Sequence, residues 1–314
     1  MKDNIEFAKG ALLGLACGDA LGTTLEFRRR DTFPLHTEMT GGGAFNVKPG
    51  QWTDDTSMAL CLAESLVECE GFDSRDQLER YLRWMNEGYL SCHGNCIDIG
   101  GTTRTSLQRY ERSGVDYAGT DNPFESGNGG IMRLAPAVLA ASDQRMALEH
   151  AINSSRTTHA SADCLDAAEL LGAILWQLRE GASLKEVLED LPDTGERGMK
   201  ISRIKHGFFR KLGRDQISSG GYVIDTLEAA LWSCYHSEDF ENALITAVNL
   251  GDDADTVGAV TGQIAGAAWG ASSIPSRWLN QLSWRKEIET SALGLAAMSQ
   301  PNLPQSRLCR IALK

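Results

Sequence analysis

The sequence predicts an all-α fold, and three observations carry that expectation. Leucine and alanine are plentiful, valine is scarce, and the apolar residues recur at three- and four-residue steps instead of alternating. The first element is a helix whose stripe is Ile5, Ala8, Leu12, Leu15 and Ala16. Asp19 continues that stripe, so a carboxylate enters the core side and needs a partner there. Met58, Leu62, Leu66 and Cys69 mark a second helix. Cys164, Ala168, Leu171, Leu175 and Leu178 mark a third, which stops at Gly181. Thr226, Leu227, Ala230, Leu231 and Cys234 form a fourth, followed by a stripe of Phe240, Ala243, Ala247 and Leu250. In the segment from Gly251 to Gly270, glycines stand at 258, 262, 266 and 270. Each interior glycine costs a helix about 1 kcal/mol against alanine, so a row of them predicts a central helix with a close neighbour along that face.

Gly and Pro fall as single punctuation marks, with no internal repeat, low-complexity tract or Pro/Ser-rich linker, so one compact multi-helix domain is expected over residues 1–314. The least helical stretches, Arg28 to Gln51 and Asp116 to Gly130, are long glycine-bearing loops of the kind that carry function. Of the 314 residues, 42% are hydrophobic and 23% charged, which is the composition of a packed globular chain. With 42 acidic against 30 basic residues, the net charge of −12 gives no global field for holding nucleic-acid phosphates or anionic lipid. The apolar run from Ala11 to Cys17 is cut off by Gly18 and Asp19 before it reaches the length of a signal-peptide core, and Val257 to Trp269 is too short to span a bilayer. Eight cysteines without a repeating spacing, most of them in apolar periodic segments, fit reduced thiols. A cytoplasmic location follows as the expectation.

Two clusters carry the chemistry. Thr53, Asp54, Asp55 and Thr56 stand at the start of the second helix, where Thr and Asp also serve as caps. Asp252, Asp253, Asp255 and Thr256 open the glycine-rowed helix. One cap needs one side chain, and three carboxylates within four residues at the mouth of a buried helix call for a cation. No Lys or Arg is near either cluster in sequence, and hard oxygen ligands suit Mg²⁺, Mn²⁺ or Ca²⁺ better than zinc. Cys92, His93 and Cys96 lack the second pair that a zinc site would require, and no nucleophile elbow supports a Ser/His/Asp hydrolase. A metal-free glycosidase would use two carboxylates and leave the others unexplained.

Five ordered stretches over roughly residues 7 to 270 resemble the ADP-ribosylglycohydrolases. They are GLACGDALG at Gly14 to Gly22 leading to Glu26 and Phe27, WTDDTSM at Trp52 to Met58, DIGGTTR at Asp98 to Arg104, GNGGIMR at Gly127 to Arg133, and GDDADT at Gly251 to Thr256. The resemblance implies a metal-dependent hydrolase that removes ADP-ribose from modified protein side chains, foremost ADP-ribosyl-arginine. It implies two divalent cations, Mg²⁺ or Mn²⁺, held by Thr53, Asp54, Asp55, Asp253, Asp255 and Thr256. Glu26 is implied as the catalytic acid/base, with Asp55 and Asp253 beside it, where without the motif Glu26 would equally read as a solvated acid next to Arg28, Arg29 and Arg30. Asn128 and Gly129 are implied to hold the diphosphate at a helix start formed with the apolar run Ile131 to Ala141. Asp98 is implied near the scissile bond, His159 at the rim of the ribose pocket and Tyr222 against adenine. Their plain alternatives are a cap, a core histidine and a packing residue. The sequence departs from the family pattern at Asp252, where glycine is common, and at Ala254, where threonine is frequent. The expected partner is an ADP-ribosylated protein, with no membrane and no sequence-specific nucleic acid. The rival reading is an immunity or binding protein on the same scaffold that blocks a cognate ADP-ribosyltransferase toxin.

Overall fold

A computed structural model describes residues 4–299. Cys309 and the outermost residues of the expected 1–314 domain lie outside the described residues. The chain runs through α1 (Asn4–Gly22), α2 (Asp54–Glu68), α3 (Ser74–Glu87), α4 (Gly101–Ser113), α5 (Ala135–Leu139), α6 (Gln144–Arg156) and α7 (Ala162–Glu180). It continues through α8 (Leu184–Glu189), α9 (Ile201–Lys205), α10 (Val223–Tyr235), α11 (Phe240–Val248), α12 (Ala254–Trp269), α13 (Ser276–Gln281) and α14 (Arg285–Met298). Among the described residues there is no β-strand beyond isolated bridges, so the all-α expectation holds. None of these helices is long and apolar enough to cross a membrane.

The helix stripes fall where the periodicity puts them except at two ends, where Ile5 and Cys69 are exposed, and α1 is buried on nearly every side and not along one stripe alone. Gly181 ends α7 in the left-handed conformation at φ 102°, and Cys69 caps the end of α2. The glycine row of α12 finds its partner in a second row on α1. A methyl group on Gly10 would lie 2.2 Å from the Gly266 carbonyl oxygen, one on Gly14 2.2 Å from that of Gly262, one on Gly18 2.0 Å from that of Gly258, and one on Gly22 2.4 Å from that of Ala254. The pairing is antiparallel, and the two backbones touch along four turns because three of the contacts are glycine on glycine and the fourth sets Gly22 against Ala254. It lays the end of α1 against the start of α12.

Around this pair, α2, α5, α7, α10, α11 and α14 contribute to one continuous apolar core. A smaller cluster of Met58, Cys61, Leu78, Tyr81, Trp84 and Leu107 joins α2 to α3 and α4. The loop from Arg28 to Gln51 is fixed by Arg30, whose guanidinium donates to the carbonyls of Leu250 (2.9 Å), Arg214 (2.6 Å) and Ile217 (2.6 Å). Trp52 ends the loop fully buried, its indole N–H on the Ser283 carbonyl at 2.9 Å. One expectation needs correction. The glycine loop at 127–130 does not open the long helix expected over Ile131 to Ala141. It forms a 3-10 turn over Asn128–Gly130, and only Ala135–Leu139 is α-helical. Pro136 cannot donate a backbone hydrogen bond, so it belongs in the first turn of a helix that starts late.

Candidate active site

The starts of α2 and α12 meet beside the end of α1, and each is capped by a carboxylate from outside its own helix. Asp19 of α1 accepts from the Thr53 N–H at 2.9 Å, the Thr56 N–H at 3.0 Å, and the hydroxyls of Thr53 (2.9 Å) and Thr56 (2.6 Å). Both Asp19 oxygens are thus engaged on the first turn of α2. Thr53 and Asp253, the N-cap residues of α2 and α12, make no side-chain cap of their own. Glu26 does for α12 what Asp19 does for α2, accepting from the Ala254 N–H at 2.9 Å. Asp255 still accepts from the Thr256 N–H at 2.8 Å through Oδ1, but with Asp19 and Glu26 sharing the caps the four aspartates Asp54, Asp55, Asp253 and Asp255 exceed what capping needs.

Glu26 is 4% exposed, which also excludes the solvated acid. Its loop is clamped to α12: the Phe27 N–H donates to the Asp252 carbonyl at 2.8 Å, and the Asp252 N–H donates to that of Arg28 at 2.8 Å. Phe27 (φ 62°) and Asp252 (φ 58°) both adopt the left-handed backbone that non-glycine residues avoid. Asp252 turns its carboxylate to the Ser219 hydroxyl at 3.3 Å. Asp98, also left-handed at φ 58°, caps nothing: the N-cap of α4 is Gly100, without a side-chain bond.

The carboxylates converge. Oxygens of Asp19, Asp55 and Asp255 lie within 4.8 Å of one another, as do those of Glu26, Asp98 and Asp255, so Asp255 belongs to both groups. Among the described residues no ion pair engages any of them or Asp54 and Asp253. Burial, then mutual repulsion, pushes Asp54, Asp55 and Asp255 well above the usual carboxylate range, Asp98 up to about 10 and Glu26 up to about 8. Asp19 and Asp253 are raised chiefly by burial, against the hydrogen bonds they accept. Asp55 Oδ1 and Asp255 Oδ2, one from each helix, are buried without a hydrogen-bond partner. Oxygen-only donors, missing counter-charge and two orphaned carboxylate oxygens are what a divalent cation satisfies. The residues present fit the metal that the sequence calls for.

Next to the acidic centre stands the glycine loop. The Asn128 amide donates to Asp253 Oδ2 at 2.7 Å and to the Thr226 hydroxyl at 2.9 Å. Gly129 packs under His159, where a methyl group would come 2.5 Å from the ring's Cε1. His159 is 2% exposed, and burial together with the Arg133 charge pushes its imidazole down to about 3, so the ring is neutral. Arg133, fully buried, donates to the Thr158 hydroxyl at 2.5 Å, and that hydroxyl lies 2.8 Å from His159 Nδ1. With the Thr158 oxygen accepting from Arg133, Nδ1 is the acceptor in reach of its proton, an arrangement that puts the ring N–H on Nε2, beside Gly127 and Gly129. Tyr222 is half-buried at the start of α10, its hydroxyl donating to Asp163 at 2.6 Å and Lys200 lying 4.4 Å from its ring centre.

Thr53, Asp54, Asp55, Asp253, Asp255, Thr256, Glu26 and Asp98 therefore share one centre, with Asn128, Gly129 and His159 beside it and Tyr222 behind the loop. Asp19 and the Arg133–Thr158 chain were missed as site residues. The signal for Asp19 was its position on the buried stripe of α1. Cys92 and His93 both turn to the Trp52 carbonyl, at 3.4 and 3.0 Å, in keeping with the rejected zinc reading.

Comparison with known proteins places this geometry. The family model described as ADP-ribosylglycohydrolase matches residues 1–304. The chain is 41% identical over 298 residues to the ADP-ribosylarginine hydrolase Tri1 of Serratia proteamaculans, covering 95% of this chain and 81% of that protein. It is 35% identical over 297 residues to the ADP-ribosyl-[dinitrogen reductase] glycohydrolase of Rhodospirillum rubrum, covering 90% and 92%. A solved structure described as an ADP-ribosylglycohydrolase-related protein complex superposes with a TM-score of 0.84 at 43% identity, covering 96% of this chain and all of that one. With the family matched over nearly the whole sequence and the fold shared, the chain belongs to the ADP-ribosylglycohydrolase family.

Proposed function

We propose that this protein hydrolyses the N-glycosidic bond between ADP-ribose and an arginine side chain of a modified protein, as the name of its Serratia relative says of that enzyme. The observation that carries the reading is the pair of buried, partnerless oxygens, Asp55 Oδ1 and Asp255 Oδ2, at the starts of α2 and α12. Asp54, Asp55, Asp253 and Asp255, with the Thr53 and Thr256 hydroxyls, would hold two divalent cations, Mg²⁺ or Mn²⁺. Such cations supply Lewis-acid charge and orientation for the ribose hydroxyls and make a water more acidic.

The chain's own residues do the rest. Glu26 sits within reach of Asp255 at the same centre, so its carboxyl can take a proton from the attacking water or return one to the departing guanidine. Asp98 shares that group and faces the same reacting carbon. Asn128 is spent on Asp253 and holds that ligand in place, while Gly129 keeps the loop thin enough for a diphosphate to approach the backbone. His159 directs Nε2–H at the loop as a neutral donor to a phosphate oxygen. Tyr222 offers an aromatic ring beyond the loop for adenine. The whole chain would act as one domain. The test is release of ADP-ribose from an ADP-ribosyl-arginine peptide and from an ADP-ribosyl-serine peptide, with Mg²⁺, Mn²⁺ or chelator. Cleavage of the arginine peptide only with metal is expected, and hydrolysis unaffected by chelator would overturn the reading.

A further inference from the structure

Beside the acidic centre lies a cavity of about 440 Å³ whose walls include no residue of the glycine loop, nor His159 or Tyr222. Asp98 is part of its wall, so the cavity is continuous with the Glu26–Asp98–Asp255 group. Its other walls include Phe27, Phe45, Ile99 and Arg104. Phe27 is the residue after Glu26, and its side chain is 68% exposed although it is one of the larger apolar groups of the chain. Its backbone is held left-handed by the bond to Asp252, so the ring is presented outward from the same turn that turns Glu26 inward. Phe27 and Phe45 meet edge to face, with centroids 6.0 Å apart and planes at 66°, which makes a corner and not a closed stack. Arg104, exposed on the first turns of α4, forms no ion pair among the described residues.

We infer that this cavity receives the acceptor half of the substrate, with the guanidinium of the modified arginine against the Phe27–Phe45 corner and an acidic residue beside that arginine paired with Arg104. The inference rests on the reading of the centre as an ADP-ribosyl-arginine hydrolase. The bond to be cut joins the ribose, at the acidic centre, to the guanidine. The diphosphate is assigned to Gly127–Gly130, none of which lines this cavity, so the cavity that shares Asp98 is left for the guanidine. A planar cation suits an aromatic corner, which attracts it through the ring quadrupole. Arg104 by itself repels a guanidinium, and the repulsion is offset when the substrate brings its own carboxylate, which an unpaired guanidinium can hold in a two-point contact.

Initial rates with ADP-ribosylated peptides in which the modified arginine is followed by Asp or by Lys, together with calorimetry of free ADP-ribose, test this. Phe27→Ala should raise KM for the Asp peptide about 3- to 30-fold, the range of a cation–aromatic contact, and leave ADP-ribose affinity as in the wild type. Phe27→Tyr should restore KM and Phe27→Leu should not, which separates an aromatic requirement from an apolar one. Wild type should prefer the Asp peptide and Arg104→Glu the Lys peptide. Wild-type KM in Phe27→Ala, or an equal loss of ADP-ribose affinity, would overturn the inference, the second by showing that the cavity holds the nucleotide half. Failure of the wild type to cleave either peptide would instead strike the proposed function itself.

Discussion

Replacing Gly18 with alanine tests whether the facing glycines of α1 and α12 build the site. The added methyl group would stand 2.0 Å from the Gly258 carbonyl oxygen, 2.3 Å from its carbon and 2.8 Å from the Ala259 nitrogen. All three atoms are backbone, so no side chain can swing away. Ordinary contact begins near 3.4 Å, so α12 must retreat locally by about 1.4 Å. Overpacking of this kind costs about 1–3 kcal/mol, and contact between two backbones belongs at the upper end. Alanine returns about 1 kcal/mol in helix propensity, leaving a net loss of about 2 kcal/mol. For a 314-residue chain that lowers Tm by roughly 3 °C. The retreat also separates Glu26 from the Ala254 N–H and shifts Asp19 beneath α2, so the gain in Tm on adding Mg²⁺ should shrink. Gly101→Ala is the control, because nothing lies within 4 Å of its Cβ position in the first turn of α4. Melting curves with chelator and with millimolar Mg²⁺ decide the matter. A Gly18→Ala protein that melts at or above the wild type in both conditions would refute the argument.

Three further outcomes follow from the site. Wild type should gain melting temperature with Mg²⁺ by mass action, whereas Asp255→Asn, relieved of repulsion, should match or exceed the wild type in chelator and fall below it in Mg²⁺; curves that do not cross would count against a shared cation site. Glu26→Gln keeps shape but loses the proton acceptor, so kcat should fall about 10²- to 10⁴-fold with metal content retained, and near-normal turnover would transfer the role to another carboxylate. His159, pushed down to about 3 in the fold against about 6.5 unfolded, gives stability that is complete above pH 6.5 and declines as the pH falls toward 3. Denaturant titrations of the wild type should therefore lose about 1.4 kcal/mol per pH unit relative to His159→Asn in that window, and parallel profiles would show that the ring is not held neutral.

The helices were legible because burial writes a 3.6-residue period into the sequence, and α2, α7, α10, α11 and α12 follow it closely. The glycine row on α12 announced a close neighbour but not its identity. The partner row at Gly10, Gly14, Gly18 and Gly22 has the same spacing, and a search for a second row would have found it. The Asp/Thr clusters were legible as an excess of carboxylate over what capping needs. What the sequence could not show was that carboxylates from outside each helix share in the capping, since a contact between Asp19 and Thr56 or between Glu26 and Ala254 depends on how three helix ends meet. The late start of α5 was misjudged because the apolar run from Ile131 is buried whether it is helical or not.

The two outside caps also explain how one short segment organises the centre. Asp19 and Glu26 lie seven residues apart across the end of α1, and each satisfies backbone N–H groups at the mouth of a different helix. A capped N-terminus still favours negative charge in its first turn, so α2 and α12 can each carry aspartates there at lower cost than a coil could. Local bonds take up only one oxygen each of Asp55, from the Thr53 hydroxyl, and Asp255, from the Thr256 N–H, and Asp55 Oδ1 and Asp255 Oδ2 remain open. The pairing of α1 with α12 then sets how close Asp19, and the α2 turn bonded to it, stand to Asp255, since Gly18, next to Asp19, touches Gly258, one turn from Asp255. Closeness of backbones and closeness of carboxylates are the same geometric fact, and a substitution that widens the first must widen the second.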